Sequence, residues 1–174
     1  SSVLPFRNYA ESGGPDFRTA PLLPYRISDS DLLESESSGR LVEIPVTAGF
    51  TRAGSKFRNR CRRFLTETCL RKARLAGILD RLNVLRSLKF SPEQSNSRDA
   101  KCLVDAAIRD GVSTLVLMFH SSSLLPGYSP YVKTEAQLVA FYAWIDDIFE
   151  HCRTKHGCRS QTLSEAARQW LAAH

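Results

Sequence analysis

The residue with the clearest potential for chemistry is His120, which closes the apolar run Thr114–Phe119 and opens into the loop Ser121–Gly127. A run of β-branched and large apolar side chains predicts a strand that is buried on both faces, which is typical of a parallel α/β sheet. Ligand sites in open α/β sheets and β/α barrels form at the carboxyl ends of such strands. The sequence therefore places His120 where these proteins hold their ligands and their chemistry.

A structural role for His120 is the alternative. A histidine at the end of a buried strand can hydrogen-bond a neighbouring carbonyl group, and burying it unpaired would cost about 1 to 3 kcal/mol. Position along the chain does not by itself separate the two roles.

Length and composition bound the class of protein. The chain has 174 residues, of which 43% are hydrophobic and 24% charged, and this predicts one globular domain with its own core. The net charge of +6 favours anionic partners, although so modest a charge bears mainly on solubility. No window approaches the ~20 apolar residues of a membrane span, and the amino terminus lacks a signal pattern.

Cysteine usage predicts the compartment and argues against a metal on this chain. The five cysteines are an odd number without the spacing of a disulfide framework, so we expect a reduced, cytoplasmic setting. The segment His151–Cys158 contains two histidines and two cysteines, which invites interpretation as a zinc site. It lacks the paired cysteine and histidine spacings of structural zinc sites, and no metal ligand is assigned here.

The order of predicted elements organises the chain as a single segment. Residues 1–40 form an irregular loop region, residues 41–156 form β/α units, and residues 162–173 form a carboxyl-terminal helix. Gly111 and Gly157 fall where left-handed helix caps are expected, and Thr134 and Thr162 begin capping boxes. The predicted elements are strand Leu41–Val46, a helix from Phe57 to Leu85, strand Arg86–Phe90, helix Ser97–Asp110, strand Thr114–His120 and a helix from Thr134 to His156.

The helix predicted from Phe57 carries many arginines between Arg58 and Arg74. A basic amphipathic helix can bind phosphates or lie on a membrane surface. A solvated outer face is the alternative, and it is favoured because no aromatic side chains interleave the basic ones to stack on bases. The pattern thus argues against nucleic acid as the partner.

Several short motifs resemble one family. The strand Leu41–Val46, the upstream Gly13–Pro15 and Pro24–Arg26, and the later Leu117–His120 resemble the downstream half of the polysaccharide deacetylase superfamily, the NodB-type homology domain. The resemblance implies an α/β fold: a partial distorted β/α barrel, the carboxyl-terminal half of a deacetylase-like barrel, with parallel strands and flanking helices. The strand-helix alternation agrees with that expectation.

The resemblance also implies a function. Family members are metal-dependent hydrolases that remove acetyl groups from N-acetylated sugars, and His120 matches the histidine that protonates the leaving amine. An imidazole suits that task because its ordinary pKa lies near neutrality. Leu124 and Leu125 would wall the acetyl methyl group, and Tyr128 or Tyr131 would stack on a sugar ring. Hydrophobic packing under a loop is the alternative role for those four residues.

The chain departs from the family at its metal site. The family's early aspartate and paired histidines have no counterpart here, so zinc or another divalent metal would be held by ligands outside this chain, and none is expected on this chain alone. A complete barrel needs roughly 250 residues. We therefore expect a missing amino-terminal half, or self-association through an exposed sheet edge. The alternative function is a non-catalytic module that binds carbohydrate or an anionic polymer.

Overall fold

The computed structural model describes residues 3–10, 13–28, 30–31, 33–67 and 86–173. In these ranges the chain forms four helices and four short strands. None of the described helices combines the length and the apolar content needed to cross a bilayer. The elements are β1 (Tyr25–Arg26), β2 (Val42–Glu43), β3 (Ala48–Phe50), α1 (Ser55–Glu67), β4 (Ser87–Lys89), α2 (Ser97–Arg109), a 3₁₀ turn (Ser121–Leu124), α3 (Glu135–His156) and α4 (Leu163–Ala173).

The strands pair as two antiparallel sheets of two strands each, so the predicted parallel β/α barrel is wrong. In the first sheet Tyr25 of β1 lies opposite Glu43 of β2, and in the second Ala48 of β3 lies opposite Lys89 of β4. The predicted strand Leu41–Val46 is cut short because Pro45 has no amide hydrogen to donate to a ladder. The next amide, that of Val46, donates to the Val3 carbonyl in the amino-terminal segment at 3.0 Å.

The apolar run Thr114–His120 is not a strand in the structure, although a buried strand was predicted there. The Val116 amide donates to the side-chain hydroxyl of Thr47 at 2.8 Å, while the Thr47 amide donates to the Val116 carbonyl at 3.2 Å. The Met118 amide reaches the Phe90 carbonyl at 3.1 Å. Because a hydroxyl replaces one backbone acceptor and the two partners lie on different segments, no regular ladder forms.

This run nevertheless lies between two hydrophobic clusters. Leu115 and Leu117 pack against a cluster built from β4, α2 and α3, which includes Leu103 and Trp144. Val116 and Met118 pack against a second cluster, which contains Val3, Leu4, Phe17, Ala20, Val46 and Ala48. Successive side chains therefore point to opposite sides, as they would in a strand with both faces covered.

The described part of the amino-terminal segment has little regular structure, yet it supplies core residues. The Phe6 amide donates to the Phe17 carbonyl at 3.2 Å, the Phe17 amide donates to the Arg7 carbonyl at 2.8 Å, and Asn8 forms an antiparallel bridge with Asp16. These hydrogen bonds and this bridge hold the irregular backbone in place.

Four helix boundaries match their sequence signals. The left-handed φ angles of Gly111 and Gly157 are 88° and 64°, which follow the ends of α2 and α3. Thr134 accepts a hydrogen bond from the Gln137 amide at the start of α3. The Thr162 hydroxyl and the Glu165 amide lie 3.2 Å apart, and this reciprocal box begins α4. Local capping chemistry thus determined these ends.

The predicted helix Phe57–Leu85 corresponds to α1 in its first part, and residues 68–85 lie outside the described residues. Phe57 and Phe64 of α1 are 73% and 60% exposed, so these two rings do not form a buried apolar face.

Candidate functional site

His120 lies at the junction between the apolar run and the 3₁₀ turn Ser121–Leu124. Its own backbone is extended, with φ −83° and ψ 133°, and its carbonyl accepts from the Ser123 amide at 2.9 Å. The Met118 amide holds the preceding backbone against Phe90 at 3.1 Å. The imidazole is thus carried on a backbone that is fixed on both sides.

The carboxylate of Glu93 contacts the His120 imidazole from the interior of the protein. Its side chain is completely buried, whereas that of His120 is 58% exposed. One carboxylate oxygen lies 2.8 Å from the Nδ1 of His120, and the other accepts from the His120 amide at 2.8 Å and from the Ser123 hydroxyl at 2.7 Å. Three donors therefore satisfy one buried carboxylate, as a buried charge requires.

A compact turn after β4 positions Glu93. Ser91 is fully buried; its hydroxyl accepts from the Glu93 amide at 3.3 Å, and its carbonyl accepts from the Ser95 hydroxyl at 2.8 Å. Pro92 restricts the backbone between Ser91 and Glu93. The turn directs the Glu93 side chain inward just before α2 begins.

These contacts decide the charge of Glu93. Burial by itself would raise the pKa of this carboxyl group, but the hydrogen bonds from Ser123, from the His120 amide and from the His120 ring outweigh burial and lower the pKa. Glu93 is therefore ionised near neutral pH, and an ionised carboxylate can only accept. It follows that Nδ1 of His120 carries a proton, which leaves Nε2 as the nitrogen that exchanges a proton or accepts a hydrogen bond.

Two serines and a tyrosine complete the surroundings of His120. The hydroxyls of Ser123 and Ser129 lie 3.0 Å apart, and both side chains are buried. The Ser129 oxygen accepts from the Tyr131 and Val132 amides at 3.3 and 3.1 Å. The Tyr131 ring is stacked on the His120 ring with centroids 5.9 Å apart and planes 12° apart.

The four residues predicted to bind substrate all lie in the loop after His120, and all are exposed. Their exposed fractions are 38% for Leu124, 53% for Leu125, 72% for Tyr128 and 38% for Tyr131. Among them, the structure brings the Tyr131 ring into direct contact with His120. The roles of the other three remain predictions from their place on the same loop.

The residues around His120 do not fit a resident metal ion. Both oxygens of Glu93 already accept hydrogen bonds, and the Nδ1 of His120 faces that carboxylate. Among the described residues, the one group of ligand-type side chains close enough to share a cation is Asp105, His151 and His156. Those three residues lie on α2 and α3 and share no hydrogen bond with His120 in the described part of the chain.

Asp105 is strongly perturbed by its neighbours. Burial would raise the pKa of its carboxyl group, but hydrogen bonds from Lys155, His156 and His151 hold the pKa far below its ordinary value. The cluster therefore contains a carboxylate that stays ionised over the whole neutral range.

Sequence reasoning missed Glu93, Ser123 and Asp105 as site residues. Glu93 is 27 residues from His120 and Asp105 is 46 residues from His151, so no local spacing joins them. A usable signal existed for Glu93 alone, because it follows a predicted strand as His120 follows a predicted strand. The polar residues that close neighbouring strands often meet at one edge.

Comparison of the chain with protein-family models, with curated proteins and with solved structures finds no significant match. The interpretation of the site therefore rests on its own geometry and chemistry.

Proposed function

We propose that this chain is the carboxyl-terminal portion of a carbohydrate amide hydrolase of the polysaccharide deacetylase kind, acting on N-acetylated sugars, with His120 as general acid. The observation that supports it is the hydrogen bond of 2.8 Å between the His120 ring and the fully buried Glu93, combined with the exposure of the same ring. The proposal does not depend on a barrel fold, since the predicted barrel was wrong.

The arrangement supports proton donation through one nitrogen. Glu93 fixes the ring and keeps a proton on Nδ1, so Nε2 is the nitrogen that donates. Water adds to the acetamide carbonyl carbon, and when the carbon–nitrogen bond of that adduct breaks, the departing nitrogen takes a proton from Nε2, so that acetic acid and a free amino sugar result. The proton lost by the added water restores His120, and Glu93 acts as a positioning residue throughout.

The loop after His120 supplies a surface of the right character for a sugar. Tyr131 is stacked beside the imidazole, and Tyr128 and Leu125 are exposed nearby in sequence. Apolar faces of pyranose rings pack on tyrosine rings, and a leucine can accommodate an acetyl methyl group. Any metal that polarises the acetyl carbonyl would be bound by residues outside this chain, and no step assigned here passes through it.

The second candidate is a module that binds carbohydrate or an anionic polymer without catalysis. It is favoured by one observation: among the described residues around His120, no set of side chains fits a metal. In that case the exposed tyrosines bind the sugar, and His120 contributes only a hydrogen bond.

A binding measurement followed by a turnover measurement separates these proposals. The chain is titrated with an N-acetylglucosamine oligomer while imidazole and tyrosine signals are followed by NMR, and acetate release is then measured in the protein that carries this chain. Catalysis requires that His120 signals shift and that His120→Gln lowers kcat by about 10² to 10⁴ with folding unchanged. His174→Gln is the matched control and should leave kcat unchanged.

Each outcome decides between the proposals. Binding without acetate release, or full turnover by His120→Gln, removes the catalytic proposal and favours the binding module. Absence of any shift with the oligomer contradicts both. Glu93→Gln sharpens the positioning role, because it should lower kcat and alter its pH profile while leaving KM nearly unchanged.

We also propose a cytoplasmic location for the protein. The described cysteines Cys61, Cys102, Cys152 and Cys158 are free thiols. Free thiols in a chain of this size support a reduced, cytoplasmic setting. Extraction under thiol-blocking conditions, followed by intact mass measurement, would contradict this if a disulfide were found.

A further inference from the structure

The carboxyl-terminal turns of α3 hold two histidines against one aspartate of α2. The Nε2 atoms of His151 and His156 lie 2.8 and 2.7 Å from the same oxygen of Asp105. The three ligand atoms all lie within 4.8 Å of one another. Two imidazole nitrogens therefore converge on one carboxylate oxygen.

From this convergence we propose that Asp105, His151 and His156 form a binding site for a divalent transition-metal ion of the zinc type. Two imidazoles and one carboxylate are a ligand set that zinc accepts, with a water molecule in the fourth position. Ligand atoms bound to zinc lie at about 2.0 to 2.2 Å from the ion, hence roughly 3.3 Å from one another. The two nitrogen–oxygen distances, now 2.8 and 2.7 Å, would lengthen by about 0.5 Å to reach that spacing.

The two helices that carry the ligands are packed together, which makes the site rigid. Leu103 and Val104 of α2 share a buried cluster with Ile148 and Cys152 of α3, directly beside the ligands in sequence. The ligand side chains are 15%, 16% and 23% exposed for His151, His156 and Asp105. The three ligand side chains are therefore largely shielded from solvent without being fully buried.

The end of α3 adds favourable electrostatics. His156 is the last residue of the helix, and Gly157 follows as its left-handed cap. The unpaired carbonyl groups at a helix carboxyl terminus carry partial negative charge and attract cations. A metal ion bound by His156 would lie in that favourable potential.

Lys155 is the competitor for this site. Its ammonium group lies 2.6 Å from the second oxygen of Asp105, and its side chain is 53% exposed. Without a metal, the lysine and the two imidazoles satisfy the carboxylate. When a cation binds, the lysine can turn into solvent, since its long side chain is already half exposed.

Metal uptake by the reduced chain tests the proposal. Zinc binding is measured by equilibrium dialysis with elemental analysis, and cobalt(II) binding is followed by visible spectroscopy, which distinguishes nitrogen and oxygen ligands from thiolates. We expect one ion per chain with a spectrum free of thiolate character. Asp105→Asn, His151→Gln and His156→Gln should each weaken binding by at least about tenfold.

Three control variants test whether Asp105, His151 and His156 are the residues that bind the metal. His120→Gln removes a histidine elsewhere and should bind zinc as tightly as the unaltered chain, and Cys158→Ser should do the same. Lys155→Met removes the competitor with all ligands intact and should tighten binding. It also keeps the test decisive if a ligand variant fails to fold.

The contradicting results are equally specific. No stoichiometric uptake by the unaltered chain would mean that the cluster is an ion-pair network between helices. Unchanged affinity in the ligand variants, or loss in Cys158→Ser, would place the metal elsewhere. None of these results depends on turnover, so the site stands or falls separately from the function proposed for His120.

Discussion

The two histidine sites of this chain use a carboxylate in opposite ways. At His120 the carboxylate of Glu93 is completely buried, Nδ1 of the imidazole contacts it, and the His120 side chain is 58% exposed. At Asp105 the two imidazoles are 15% and 16% exposed, and their Nε2 atoms face the carboxylate. The His120 ring contacts a buried carboxylate and is itself exposed, which suits proton exchange with an external ligand. The rings of His151 and His156 are largely buried against a carboxylate, which suits the binding of a small cation.

The sites also differ in what holds them. Glu93 accepts from two side chains and one backbone amide, all within a loop and a turn. Asp105 is bound only by side chains, and those belong to a neighbouring helix. We therefore expect the first site to contribute more to folding than the second, and the following substitutions test that difference.

The largest effect is expected for Glu93→Ala. Its loss leaves the His120 amide and the Ser123 hydroxyl without their acceptor and creates a cavity, which should lower the free energy of unfolding by about 2 to 4 kcal/mol. Urea denaturation followed by circular dichroism measures it. Glu150→Ala, whose carboxylate is exposed, is the control and should change little. An equal, small effect of both variants would show that Glu93 is not structurally important.

A smaller effect is expected for Asp105→Asn in metal-free solution. The amide keeps one acceptor oxygen but loses the charge that attracts Lys155 and the two histidines, which should cost about 1 to 3 kcal/mol. Asp147→Asn is matched to it, because Asp147 also joins α3 to α2, through Lys101 and Ser97, but is 46% exposed. The same denaturation experiment should give a smaller loss for Asp147→Asn, and the reverse order would contradict the burial argument.

Gly157→Ala should have a modest effect on stability and a local effect on one site. The left-handed φ of 64° costs a residue with a Cβ about 1 to 2 kcal/mol, even though no atom lies close enough to clash. Because Gly157 follows His156, we expect NMR shifts at His156 and none at His120. Gly127→Ala, with φ 84° in the loop after His120, is the reciprocal variant. Shifts at both histidines in either variant would argue that the two sites are coupled.

The smallest effect concerns the acid limb of stability. The pKa of Glu93 is lowered in the folded state, so Glu93 stabilises the fold above its unfolded pKa, and that contribution is lost as the pH falls through the folded value. Glu93→Gln should therefore flatten the fall in unfolding free energy below about pH 5. His120 and Lys89 are the charged groups that act on Glu93. An unchanged acid limb would mean that other carboxylates dominate it.

Local signals allowed the ends of helices to be predicted from the sequence. The pairing of strands in the two sheets could not be predicted in this way. Helix-capping residues contact backbone groups within one turn, so the neighbouring sequence contains the whole interaction. The capping residues here are Thr134, Thr162, Gly111 and Gly157. The apolar run Thr114–His120 was predicted to be a strand buried on both faces, but it forms no strand and its apolar side chains are only partly buried. The hydroxyl of Thr47 lies 69 residues away and takes the place of a carbonyl acceptor, which no periodicity records.

The same limit applies to the candidate site. The position of His120 after an apolar run was visible in the sequence, and so was the loop that carries Tyr131. Its buried partner Glu93 also follows a predicted strand, but no local spacing joins the two residues, and only the folded chain brings them within 2.8 Å. Asp105 was hidden for the same reason, because it occupies an ordinary polar position on α2.

The alternation of Leu115 and Leu117 with Val116 and Met118 ties two cores to a single stretch of backbone. If this stretch detaches, apolar surface is uncovered on both sides at once, and neither core can melt without disturbing the other. The amino-terminal and helical parts should consequently unfold as one cooperative unit. His120, at the end of this shared segment, is therefore anchored by both halves of the protein.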